Sequence, residues 1–83
     1  MRANRAYELI VRRGGREPAF MSDPNRTDRI EVVSVDDGEV VLYWHVHAKL
    51  ASRLLKELRE DLVALDAEEF IDKWIGADAE DLF

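Results

Sequence analysis

Two β-rich runs, residues 30–35 and 40–46, flank Asp36-Asp37-Gly38-Glu39, and the second passes into a long amphipathic helix with no Pro or Gly between. Asp-Gly between such runs is a strong local hairpin signal. A strand that feeds directly into a helix must lay that helix back over one face of the sheet, which places the chain in the α+β class. Two hairpin registers compete. A two-residue Asp37-Gly38 turn pairs Val35 with Val40 and sets Glu31 opposite Trp44. A three-residue loop with Gly38 left-handed pairs Ile30 with Trp44, Glu31 with Tyr43 and Val32 with Leu42. A slip of one residue turns every side chain to the other face, so the cost of burying a carboxylate beside Trp44 selects the three-residue loop and frees Glu31 from the core.

The remaining segments attach to this unit. Residues 7–13 alternate as a strand, with Tyr7, Leu9 and Val11 on one side and Glu8, Ile10 and Arg12 on the other. Gly14-Gly15 marks a turn, residues 17–21 read as a short edge strand limited by Pro18, and residues 22–29 as a polar loop. The helix over 48–65 gathers Ala48, Leu50, Ala51, Leu54, Leu55, Leu58, Leu62 and Leu65 in one arc, wide enough to call for a second neighbour besides the sheet. Its charges oppose the helix dipole, so packing must hold it. A second helix begins after Asp66, an N-cap with Glu69 in the capping-box position and Leu65 and Phe70 placed as a hydrophobic staple. Ala67, Phe70, Ile71, Trp74 and Ile75 follow at helical spacing, and Gly76 ends the helix. The expected fold is an antiparallel three- to four-stranded meander with two C-terminal helices packed on one face. The 83 residues make a single domain, with 1–5 and 77–83 as flexible tails. Of the two tryptophans, Trp44 is expected to matter more than Trp74, which sits on the shorter helix.

Charge narrows the functions. The net charge of −6 divides into +3 over residues 1–30, where seven Arg stand against four acids, and −9 over the rest. The acidic whole disfavours nonspecific binding to nucleic acid, but the basic first third keeps a local phosphate-binding surface in view. The chain has no Cys, no secretory signal and no apolar run of membrane-spanning length, which reads as a cytoplasmic protein without membrane attachment.

No enzyme is expected. Ser22, Thr27, Ser34 and Ser52 lack the elbow that activates a nucleophile. Glu68-Glu69 sit where a helix dipole alone explains them. Gly14-Gly15 lacks the residues of a phosphate loop, and no cofactor is implied. His45 and His47, two apart on a strand, share a face as a chelating pair would and form the one candidate metal site, with Glu31, Asp36 or Asp37 as third ligand. Arg2, Arg5, Arg12, Arg13 and Arg16 are the candidate nucleic-acid contacts, with Tyr43 and His45 as stacking surfaces. Ile10, Val33, Val35, Val41 and Tyr43 would form an apolar patch on the sheet face away from the helices, covered by the 14–29 segment or by a second copy of the chain. The acidic tail 78–83 ending in Phe83 resembles the tips of bacterial single-stranded-DNA-binding proteins over six residues, without their Pro before the Phe, and no function is carried over from it. The function expected first is a small non-enzymatic interaction or regulatory module, homodimeric through its sheet or bound to another protein. Nucleic-acid binding stands second, and a metal-dependent activity at His45 and His47 third.

Overall fold

A computed structural model of the chain describes residues 1–13 and 27–77. Its elements are α1 (Ala3–Ala6), β1 (Tyr7–Arg12), β2 (Thr27–Ser34), β3 (Val40–His47), α2 (Ala48–Ala64) and α3 (Ala67–Trp74). The strands form an antiparallel sheet in the order β1-β2-β3, the meander expected from the sequence. The short strand expected at 17–21 and residues 78–83 of the expected tail 77–83 lie outside the described residues. Ala77, the first residue of that tail, instead packs against the core, and its carbonyl accepts from Trp44 Nε1 at 2.8 Å.

The hairpin keeps Glu31 away from Trp44. Ile30 pairs with Trp44, Glu31 with Tyr43 and Val32 with Leu42. Past Val32 the ladder shifts, so that Val33 pairs with Val40 and Val41 is the extra residue of a bulge. Gly38 N–H donates to the Ser34 carbonyl (2.9 Å) and Ser34 N–H to the Glu39 carbonyl (2.8 Å), so residues 35–38 form the connection. It is one residue longer than expected, and the bulge absorbs the difference. Gly38 takes φ +73°, where a side chain is disfavoured. β2 starts earlier than expected because Thr27, Asp28 and Arg29 continue the ladder opposite His47, Val46 and His45.

One face of the sheet carries the core. Tyr7, Leu9, Ile30, Val32, Leu42, Trp44 and Val46 meet Ala51, Leu54, Leu58 and Leu62 of α2. The first N–H groups of α2 find a cap in His47, whose Nδ1 accepts from Lys49 N–H at 3.1 Å. The second neighbour that the leucine arc requires is provided by α1 and α3 together.

Residues 1–5, expected as a tail, are instead docked. Ala3 is fully buried. Ala3 N–H donates to the Leu65 carbonyl (3.0 Å), Ala67 N–H to the Met1 carbonyl (2.9 Å), and Arg2 Nη1 to the Ala64 carbonyl (3.0 Å). These bonds satisfy backbone groups at the α2–α3 junction that would otherwise need capping. Asp66 does stand at the N-cap of α3 with extended backbone, but its side chain makes no cap bond. Trp74 is also more central than its short helix suggests. It is 1% exposed against 7% for Trp44, its Nε1 donates to Asp61 Oδ2 (2.9 Å), and its ring meets both Trp44 and Phe70. Gly76 at φ +80° follows the end of α3. No helix among the described residues is long and apolar enough to cross a membrane.

Candidate functional site

The sheet face turned away from the helices is ordered by three rows of cross-strand neighbours. Glu8, Val33 and Val40 form one row, Ile10, Glu31 and Tyr43 the next, and Arg12, Arg29 and His45 the third. Arg12 and Arg29 therefore face each other directly, an arrangement that repels unless an acid intervenes. Glu31, diagonal to Arg12 and two residues from Arg29 on the same strand face, is that acid. Its Oε1 accepts from Arg12 Nε at 2.8 Å, and its Oε2 lies 2.9 Å from Arg29 Nε.

The expectation that leaving the Trp44 side frees Glu31 is thus corrected. Glu31 is 3% exposed on the open face, at the centre of the sheet. The hydrogen bond from Arg12 holds its carboxyl below the ordinary carboxylate range; the charges of both guanidiniums act in the same direction, while burial opposes them. Arg12 and Arg29 remain accessible at their outer sides, with 66% and 36% side-chain exposure. The Arg29 guanidinium lies 4.4 Å from the centroid of Tyr43, whose ring meets His45 edge-on at 5.7 Å. The result is a polar and aromatic surface of one Glu, two Arg, one Tyr and one His.

This ion cluster divides the apolar patch expected from the sequence. Val33 is buried and Ile10 half-buried, whereas Val35, Val41 and Tyr43 are exposed. Val40, absent from the expected patch, is exposed beside Val41 because of the bulge. The accessible apolar surface of the sheet is therefore concentrated at β3 and the turn before it. Met1, Val63 and Ile75, the other large exposed apolar side chains among the described residues, belong to the helical layer.

The arginines expected as nucleic-acid contacts do not converge. Arg2 and Arg5 stand before β1 and Arg12 and Arg13 at its far end, a separation of roughly 17–20 Å for a strand of this length. Arg16 lies outside the described residues. Arg29, which reads as a loop residue in the sequence, is the one that meets Tyr43. His45 and His47 share the open face, but His47 Nδ1 is engaged as the α2 cap, leaving Nε2 for any other partner. Among the described residues no three His, Cys, Asp or Glu side chains are grouped to hold a metal ion. A hollow of about 460 Å³ at the start of α3 is lined by Met1, Asp66, Ala67, Glu68 and Glu69, where the helix dipole accounts for the acids.

Comparison with protein-family models, with curated proteins and with solved structures finds no match to the chain.

Proposed function

We propose that the protein is a small non-enzymatic protein-interaction module that works as a homodimer through the β3 side of its sheet. The observation carrying this reading is the placement of exposed apolar side chains. Val35, Val40, Val41 and Tyr43 are 42–55% exposed at one edge of a sheet whose centre is closed by the Glu31 ion cluster. Apolar groups clustered beside polar ones are the usual composition of a recognition surface. In a two-fold interface the same patch meets itself, so one substitution acts twice. Val41→Glu is expected to convert a dimer into a folded monomer, because it forces a charged group to be desolvated in an apolar contact. Light scattering on both chains, with circular dichroism to confirm folding, tests this. A dimer that survives Val41→Glu removes Val41 from the interface.

Nucleic-acid binding is favoured by one observation, the Arg29 guanidinium stacked on Tyr43 beside His45. That pairing offers phosphate contact and a stacking platform together. Fluorescence anisotropy with a short single-stranded RNA at low salt tests it: binding that Arg29→Ala abolishes supports this reading, and no binding eliminates it.

A further inference from the structure

We infer that the dimer forms by antiparallel pairing of β3 with β3 of a second copy, joining two three-stranded sheets into one of six strands. This rests on the homodimer reading above and specifies how the copies meet. Backbone hydrogen bonds decide which groups are available. Val35 N–H donates to the Ala6 carbonyl, on the β1 side, whereas Ser34 N–H donates to Glu39, on the β3 side. Successive residues of a strand address opposite edges. Along β2, Ser34, Val32 and Ile30 therefore address β3, while Val33, Glu31 and Arg29 address β1. Through the register, Leu42, Trp44 and Val46 turn their N–H and C=O groups to β2. Tyr43 and His45 turn theirs off the sheet. Among the described residues β3 pairs with β2 alone.

Composition points to the same edge and to its occupant. β3 holds eight residues without one Asp, Glu, Lys or Arg, in a chain that is 36% charged. The opposite edge, β1, carries Glu8 and Arg12. Exposed edges are ordinarily blunted by charge or Pro, and β3 has neither. Its bulge lies at Val41, leaving residues 42–47 regular. An uncharged strand pairs with its own antiparallel copy without setting like charges opposite each other. At a net charge of −6, such a neutral strip is where two copies can approach with least repulsion. With the two-fold axis at Trp44, Tyr43 stands opposite the partner subunit's His45 and exchanges backbone hydrogen bonds with it. The edge-on Tyr43–His45 contact within each copy then extends across the axis.

Amide hydrogen exchange on the full chain, read by NMR over a concentration series, tests the pairing mode. The Tyr43 and His45 amides are expected to exchange roughly ten-fold or more slowly in the dimer than in the diluted monomer. His45→Pro removes one outward N–H and leaves the β2 ladder intact. It is expected to give a folded monomer, with His45→Ala still dimeric. A wild-type dimer in which both amides exchange as in the monomer, and which His45→Pro leaves assembled, overturns edge pairing while the homodimer stands. A wild type monomeric at every concentration overturns both. Protection of the two amides in a monomer means that the chain covers its own edge, and likewise overturns the pairing.

Discussion

At the scale of single residues, Glu31 links sequence, packing and pH response. Its carboxyl is held below the ordinary range by Arg12 and then by Arg29, so the folded state retains the charged form to lower pH than the unfolded chain does. The stability it contributes is fully present above the unfolded value, about pH 4 for Glu, and is lost as pH falls through the lower folded value. Glu31→Gln should therefore lower the urea midpoint at neutral pH, and should make the midpoint less sensitive to acidification to about pH 3. An unchanged acid sensitivity would place the titration elsewhere. The two tryptophans make a second test. Trp44 and Trp74 are both buried, each indole N–H has a protein acceptor, and their rings are 5.8 Å apart. Alanine at either is expected to cost about 3 to 5 kcal/mol in urea titrations. A loss at Trp74 much smaller than at Trp44 would return α3 to the margin of the core.

At the scale of elements, the structure rests on a junction that the sequence announces only on one side. The central parts of the strands, α2 and α3 were legible because period and turn chemistry agree within each, although β2 extends back through residues 27–29, expected as loop, and Asp66 makes no side-chain cap bond. Asp37-Gly38 marks the turn, the leucines of α2 repeat on one arc, and Leu65 and Phe70 bracket the start of α3. Two features were not legible. α1 is four residues long, with no amphipathic period to detect, and its partners are backbone groups more than sixty positions away. The β1–β2 register, which brings Arg12 to Glu31, depends on a connection across residues 14–26 that has no diagnostic length. The single clue was the unsatisfied width of the α2 arc. Ala3, fully buried at this junction, gives the test. Ala3→Leu should overpack it and cost about 1 to 3 kcal/mol, measured by urea titration, whereas a free N-terminal tail would tolerate the change. Gly38→Ala should cost about 1 to 2 kcal/mol through its left-handed backbone alone, since open space surrounds the position.

At the scale of the whole molecule, one sheet face is committed to the core and the other is divided. The Glu31 cluster closes the centre of the open face, and β3 with its turn presents apolar side chains at the edge. A chain of 83 residues gains much from burying such an edge, and on the proposed homodimer reading acidic copies meet most favourably along the uncharged strand. The measurement that bears most directly on this reading is the mass of the wild-type chain in solution, by light scattering over a wide concentration range. The expected mass at high concentration is twice the 9.6 kDa of one chain, falling toward 9.6 kDa on dilution. A mass of 9.6 kDa at every concentration would contradict the homodimer and leave the Arg29–Tyr43 surface as the site to pursue.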